Sequence, residues 1–294
     1  MMKNENRTKA VVLLLILSVI WGSSFILIKW ALQSLSPLQV GAIRILAASL
    51  FLSPLAFMKL RRLSLKTAGL LLLIGVVGSL GPAFLFAVAQ TQLPSSLTGV
   101  INALTPLFVI IMGALFFKKQ IVPATILGIV VGFVGTSILI LGGAKEGVGA
   151  VNAYALLVVL ATIMYGINLN TIKYFLSEID ALTITSVSLL FVGPLAAVVL
   201  FSTDFTVRIM ENPDALQGLL YVSLLGVVGT AIALILFNYM VKITDPVFAS
   251  SVTYLIPIVA IFWGIVDGER LFPIHFVGIA LTLLGVWLAN RAKK

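Results

Sequence analysis

Groups that could carry out acid–base, nucleophilic or metal chemistry are scarce in this sequence. Its ten acidic residues all fall outside the centres of the apolar segments, its one histidine is His275, and it has no cysteine. Metal centres and acid–base pairs need several such groups close together, and no glycine-rich phosphate loop with its lysine is present. The sequence therefore predicts no catalytic residue, no metal ion and no cofactor, and the chain is not expected to be an enzyme.

Aromatic and amide side chains inside the apolar segments suit ligand binding better than catalysis. Aromatic rings offer a stacking surface, and amides orient a ligand through hydrogen bonds. Polar groups at that depth are costly unless they face a cavity or each other, although the same residues could simply hold helices together. The candidates for a cavity lining are Trp21, Ser24, Phe86, Gln90, Asn102, Tyr165, Asn168, Asn238 and Tyr254.

Three charged residues and three prolines form a second group of candidates. Arg44 lies roughly two helical turns into its segment, where a charge costs up to about 2.5–3.5 kcal/mol. It either bonds to helix ends or attracts an anionic group. Asp267 and Glu269 follow an apolar segment and are candidates for a gate or for proton coupling. A proline leaves a carbonyl four residues before it unbonded. The predicted helix-break positions are Pro82, Pro106 and Pro257.

The elements that hold these residues are predicted to be membrane-spanning helices. Hydrophobic residues make up 61% of the 294 residues and charged residues 10%, with a mean hydropathy of +1.18, whereas soluble proteins have roughly 45–50% and about 25%. A spanning helix needs about 20 apolar residues, and its backbone must bond within the segment. The ten predicted spans are 10–32, 38–58, 67–89, 96–117, 123–142, 152–174, 181–202, 215–240, 246–266 and 273–290.

The distribution of Lys and Arg predicts the orientation of these spans. With the N-terminus inside, the inner loops and termini hold 14 of the 19 Lys and Arg residues, and the outer loops hold 3. Because positive residues accumulate on the cytoplasmic side, both termini are predicted to be cytoplasmic. The net charge of +9 is carried between apolar segments and at the ends. The expected partners are therefore the lipid bilayer and a small molecule, and not nucleic acid.

The sequence repeats itself in two halves, predicted as residues 1–146 and 147–294. Each half holds five spans. Because five is odd, the second half enters the membrane from the opposite side, which defines an inverted repeat. Two such halves can open a shared central site to each side of the membrane in turn. The matching stretches, in the same order in both halves, are 20–32 with 164–176, 75–78 with 226–229, and Pro106 with Pro257.

Three short stretches are informative together: Trp21-Gly22-Ser23-Ser24-Phe25, Leu35-Ser36-Pro37 with Arg44, and Gly268-Glu269-Arg270-Leu271. With the length, the span count and the duplication, they resemble the EamA branch of the drug/metabolite transporter superfamily. The resemblance covers both halves. It implies a ten-helix inverted-repeat fold and the export or uptake of small metabolites, often amino acids or related compounds. The chain departs from the family at 117–120, which hold no acid where the family often has one.

These observations predict a transporter of the cytoplasmic membrane. It is expected to export small metabolites, such as amino acids or related amphipathic compounds, by alternating access and without ATP, and a monomer is expected to suffice. Since no carboxylate lies within a span, facilitated transport or exchange is favoured, with proton coupling through Asp267 or Glu269 as the alternative. The other classes left open are a membrane-embedded enzyme or accessory subunit, and a channel, whose pore needs a continuous polar lining.

Overall fold

The computed structural model describes residues 4–60, 63–118, 123–142, 153–244, 249 and 252–291. Every regular element within these ranges is helical, which confirms the predicted all-helical class. The predicted boundary between residues 146 and 147 and both chain ends fall outside the described residues. The division into halves and the orientation of the ends therefore stay predictions.

The helices are numbered here in chain order, and π-helical turns join two pairs of them. Before the predicted boundary lie α1 (Asn4–Ala31), α2 (Pro37–Leu60), α3 (Leu65–Gly75), α4 (Gly81–Ala89), α5 (Ser95–Asn102), α6 (Thr105–Phe117) and α7 (Pro123–Gly142). After it lie α8 (Tyr154–Phe175), α9 (Ala181–Phe201), α10 (Phe205–Glu211), α11 (Pro213–Gly226), α12 (Ala233–Ile243), α13 (Val252–Val266) and α14 (Pro273–Arg291).

Ten apolar helical segments overlap the ten predicted spans one for one. Among the described residues, seven of these segments are long and apolar enough to cross a membrane, and three are apolar but shorter. The seven are Thr8–Ala31, Pro37–Leu60, Leu65–Ala89, Ser95–Phe117, Tyr154–Phe175, Ala181–Phe201 and Pro213–Val241. The three shorter ones are Thr125–Leu139, Val252–Val266 and Pro273–Ala289.

The third and eighth predicted spans each contain a π-helical turn. Val76–Leu80 joins α3 to α4, and Val227–Ile232 joins α11 to α12. Both turns begin inside the Gly-Val-Val-Gly stretches that the two halves share. Such turns are rare and frequently lie at functional sites. The sequence predicted neither turn, although the repeated glycines marked both places.

The three predicted proline breaks have different outcomes in the structure. Pro82 is the second residue of α4, directly after the first π-turn. Pro106 is the second residue of α6, and Ala103 and Leu104 separate that helix from α5. Pro257 lies inside α13, which continues through it. No break occurs there, because a proline removes one backbone donor and neighbouring groups can satisfy the freed carbonyl.

Two pairs of helices that correspond in the predicted repeat make equivalent contacts. A Cβ atom built on Gly75 would lie 2.6 Å from the backbone oxygen of Ser188, and one built on Gly226 would lie 2.5 Å from that of Arg44. In the repeat, Gly75 corresponds to Gly226 and Ser188 to Arg44. Thus α3 approaches α9, and α11 approaches α2, so closely that a side chain larger than glycine does not fit.

Candidate functional site

A cavity of about 130 Å³ lies at the centre of the helices. Its walls come from α1 to α6 in the first half, and from α8, α9, α12 and α13 with their π-turn in the second. Most of the lining is apolar, with a small number of convergent polar groups, as in binding sites for small molecules. The predicted candidates that line it are Trp21, Ser24, Phe86, Asn102, Tyr165, Asn168 and Asn238, together with Arg44.

Two pairs of aromatic rings form part of the cavity wall. Trp21 on α1 contacts Phe237 on α12, with 5.1 Å between the ring centroids. Tyr165 on α8 stacks on Phe86 on α4 at 6.2 Å. In the repeat, Trp21 corresponds to Tyr165 and Phe237 to Phe86. Both separations lie within the range of favourable aromatic contacts, and each pair joins one half of the chain to the other.

The π-turns bring backbone into the wall between these rings. The indole Nε1 of Trp21 donates a hydrogen bond of 3.0 Å to the backbone oxygen of Gly229 in the second turn. A Cβ on Gly229 would lie 3.3 Å from the hydroxyl of Ser24, and one on Gly78 would lie 2.6 Å from the amide of Asn168. Since Ser24 corresponds to Asn168 in the repeat, the two turns pack on equivalent polar side chains.

The amides of the cavity differ in their partners. Asn238 donates to the hydroxyl of Thr185 at 2.9 Å. Asn102 ends α5, and its backbone oxygen accepts a hydrogen bond of 2.8 Å from Thr105. The described structure gives no hydrogen bond to the side chain of Asn168, which packs against the first π-turn at the cavity wall. A ligand would therefore meet amide groups on both halves of the chain.

Gln90 and Tyr254, the other two predicted lining residues, lie away from the cavity. Gln90 is buried and donates 2.7 Å to the backbone oxygen of Phe25. Tyr254 turns toward α14 and donates 2.9 Å to the backbone oxygen of Val286. Both side chains hold neighbouring helices together, which was the alternative weighed for every candidate.

Sequence reasoning missed several cavity residues on α2, α9 and α12. Ile45, Thr185 and Ser188 line the cavity, and none of them was among the predicted candidates. Phe237 and Thr230 were missed as well. The repeat could have found Phe237 and Ser188, because they correspond to the predicted Phe86 and Arg44. Thr230 and Thr185 had no such signal, because no predicted candidate corresponds to either residue.

A group of charged, hydroxyl and indole side chains meets at the predicted outer ends of α1, α5 and α13. This outer charge cluster consists of Lys29, Trp30, Ser95, Ser96, Asp267 and Glu269. The ammonium of Lys29 lies 2.6 Å from Asp267 and 2.9 Å from Glu269. The indole of Trp30 donates to Asp267 at 2.7 Å. Gly268, with a φ of 79°, provides the turn between the two acids, so that both carboxylates reach one lysine.

Glu269 also caps the beginning of α5. Its carboxylate accepts from the backbone N–H groups of Ser95 and Ser96 at 2.8 and 3.0 Å, and from their hydroxyls at 2.7 and 2.6 Å. A helix N-terminus leaves such N–H groups unbonded and favours negative charge. The cap therefore ties α5 of the first half to the end of α13 in the second half.

Both acids of the outer charge cluster are held in the ionised form. Burial alone would raise the pKa of Glu269, but hydrogen bonds from Ser96, Lys29 and Ser95 outweigh it and lower that pKa below its usual value. Burial of Asp267 is likewise outweighed by hydrogen bonds from Lys29 and Trp30, and its pKa is also lowered. At neutral pH both acids therefore carry a negative charge.

Apolar helices that surround a cavity lined by aromatic rings and a few polar groups are the arrangement expected of a membrane protein that binds a small molecule. The EamA-like transporter family matches residues 8–141 and again residues 152–291. The chain therefore belongs to the EamA-like transporter family, which confirms the resemblance found in its sequence. The two matched ranges lie on either side of the predicted boundary.

Relatives named as transporters align along nearly the whole chain. The uncharacterized inner membrane transporter YedA of Escherichia coli K12 is 27% identical, over 94% of this chain and 89% of its own. The probable terminal-alkyne amino-acid exporter of Streptantibioticus cattleyicolor is 25% identical, over 97% of this chain and 94% of its own. One solved crystal structure covers 98% of this chain and 99% of its own with a TM-score of 0.65 and 15% identity, which shows a shared fold.

Proposed function

We propose that the protein carries small amphipathic metabolites, such as amino acids or related compounds, across the cytoplasmic membrane by alternating access around the central cavity. One observation supports this above the others: residues at equivalent positions of both halves build the cavity, in pairs such as Trp21 with Phe237 and Tyr165 with Phe86. A site shared in this way can be exposed to either side when the halves move against each other.

This mechanism requires ten spans arranged as an inverted repeat. The three shorter apolar helices complete the seven longer ones. Equivalent contacts support the two-fold relation, because Gly22 packs on Val259 as Gly166 packs on Phe108. These are corresponding positions of residues 1–146 and 147–294. The excess of Lys and Arg on one side supports cytoplasmic ends for the chain.

The described conformation supports a state that is closed toward the outside. The outer charge cluster joins α1, α5 and the end of α13, and its Lys29 directly follows the lining residue Ile28. In the other direction the lining continues to Ile172, Ile184 and Val252, which lie near the predicted inner ends of α8, α9 and α13. Asp267 and Glu269 thus act as a gate, and the substrate enters from the cytoplasm, as export requires.

The charges along the cavity favour facilitated transport or exchange. Proton-driven carriers usually have an ionisable acid or histidine in the path, and the described lining contains neither. Asp267 and Glu269 are ionised near neutral pH, because hydrogen bonds overcome the effect of burial and lower both pKa values. An imposed pH gradient should therefore leave flux into proteoliposomes unchanged. Strong acceleration by the gradient would favour proton coupling through these acids.

A growth-rescue screen with toxic amounts of amino acids, bases and dyes identifies a substrate, and flux into proteoliposomes then tests the site. Trp21→Ala removes a stacking ring and the bond to Gly229, so we expect a fall of at least tenfold in saturable flux. Trp287→Ala is the matched control, because Trp287 is 46% exposed on α14 and does not line the cavity. Equal flux in both variants would contradict the proposed site, and flux that never saturates would favour a channel.

A further inference from the structure

Arg44 places a positive charge in the cavity wall at the level of the second π-turn. Its Nε donates 2.9 Å to the hydroxyl of Thr230, and this is the one hydrogen bond that the described part of the structure gives the side chain. A guanidinium has five N–H donors, so most of its capacity is unused. Charged residues within membrane-spanning segments ordinarily pair with one another or with backbone carbonyls, and Arg44 makes no ion pair with any described acid.

The rest of the lining offers no compensating negative charge. The described cavity contains no aspartate or glutamate. The acids that bind a cation elsewhere are Asp180, Asp204, Asp267 and Glu269, which lie at the ends of helices and engage Lys59, Arg208 and Lys29. Packing does not require a charge at this position either, since its counterpart in the repeat is Ser188, whose backbone makes the same contact with a glycine. The guanidinium is therefore available to a ligand.

The neighbours of Arg44 suit a ligand with one negative group and an apolar body. Tyr165 lines the same cavity as Arg44, and its ring stacks on Phe86. Trp21 and Phe237 provide a second aromatic surface in the same lining. An ammonium group would find aromatic faces and amide oxygens, but no carboxylate among the described lining residues. Guanidinium groups bind carboxylates with two parallel hydrogen bonds, which gives both strength and orientation.

We infer that Arg44 binds the anionic group of the substrate, and that the preferred substrates are small organic monoanions, such as carboxylates with an aromatic or aliphatic body. This inference rests on the proposed function and narrows its substrate class from amphipathic metabolites in general to those with a net negative charge. The volume of the cavity, about 130 Å³, limits the body to the size of a small metabolite.

Calorimetric binding to the purified full-length protein tests the inference with matched probes. Phenylacetate, its neutral isostere phenylacetamide and the cation phenethylamine share one ring, and hexanoate with hexanamide repeats the comparison without it. We expect each anion to bind at least tenfold more tightly than its amide. Arg44→Gln should abolish this preference, Arg44→Lys should retain part of it, and Arg208→Gln, which changes an arginine on the outer surface, should leave it intact. Gel filtration of each variant establishes that it is folded.

Equal binding of anion and amide by the unaltered protein, or an anion preference that survives Arg44→Gln, would overturn the inference. Flux into proteoliposomes separates this failure from failure of the proposed function. Saturable transport of the amide or the amine, without transport of the anion, would support the proposed function and contradict the anionic substrate class. Binding of the anion through Arg44, without saturable flux of any compound, would support the inferred binding site and contradict the proposed transport function.

Discussion

The two predicted ends of the cavity differ in their chemistry, although the predicted inverted repeat relates one end to the other. At the predicted outer end, Lys29 lies between two carboxylates, at 2.6 and 2.9 Å. At the inner end its counterpart is Lys173, whose ammonium lies 5.4 Å from the ring centroid of Tyr174. That ring stacks on Phe117 at 4.0 Å. No acid follows α6 in the sequence, which reads Phe117-Lys118-Lys119-Gln120.

We expect this difference to make the predicted two-fold scaffold favour one conformation. Halves with identical ends would close equally well on either side. Hydrogen bonds to charged groups contribute about 1.5–3 kcal/mol each, whereas an aromatic pair contributes about 0.5–1.5 kcal/mol. The outer closure has several of the former and the inner end has the latter. The protein should therefore rest closed to the outside, and the bound substrate must help to break the outer charge cluster.

Glu269→Gln is expected to have the largest effect, because it removes the charge at the centre of the cluster. A glutamine also presents an NH₂ group to the backbone donors of Ser95 and Ser96. Losing about 1.5–3 kcal/mol from the closed state should raise outer exposure of the cavity about 10- to 150-fold. The chain has no cysteine, so an introduced Ile28→Cys in the cavity wall reports this exposure through its labelling rate with a membrane-impermeant maleimide.

Glu211→Gln is the control for that measurement. Glu211 is an exposed acid at the end of α10, on the same predicted side of the membrane. We expect no change in the labelling rate of the introduced thiol in this variant. Faster labelling in both variants would mean that the surface charge as a whole, and not the outer charge cluster, controls exposure. An unchanged rate after Glu269→Gln would show that the cluster does not hold the closed state.

The sequence predicts the helices much better than the direction of their side chains. Spans are predicted from runs of about 20 apolar residues, and an apolar helix lies near each expected position, seven of them long enough to cross a membrane. Gln90 and Tyr254 were assigned to the cavity and instead bond to Phe25 and Val286. A helix that is apolar all round has no hydrophobic face that reveals which side meets a cavity. For such helices the rotation is set by packing against neighbours, which one sequence does not contain.

The outer charge cluster shows a second limit of sequence reasoning. Asp267 and Glu269 were predicted as a gate or coupling site from their position near the outer mouth. Ser95 and Ser96, which bind Glu269, lie 174 and 173 residues away from it in the chain. No local pattern marks a carboxylate that caps a helix of the other half. By contrast, the absence of an acid from residues 117–120, where the family often has one, was visible in the sequence. It predicts that the inner end has no counterpart of Glu269.

Substitutions at corresponding helix contacts of the two halves should have similar effects, although the two ends of the cavity differ. Gly75→Ala and Gly226→Ala each push a Cβ against a backbone oxygen, of Ser188 and Arg44. Overpacking of this kind costs typically about 1–3 kcal/mol, so we expect similar falls in the melting temperature of the purified protein. Gly69→Ala is the control, because nothing lies within 4 Å of its Cβ position. A fall in one variant alone would break the equivalence of the two halves.

The smallest expected effect is that of pH on the closed state between pH 6 and 8. The pKa values of Asp267 and Glu269 are lowered, because their hydrogen bonds outweigh burial. A carboxylate with a lowered pKa stabilises the closed state above its usual pKa and loses that contribution as the pH falls through the lowered value. The labelling rate of the Ile28→Cys variant should therefore be constant in this range. The rate is first divided by that of a cysteine in an unfolded peptide, which removes the pH dependence of the maleimide reaction itself. A rise in exposure between pH 8 and 6 would mean that an acid of the cluster takes up a proton there, and proton coupling would then replace facilitated transport or exchange.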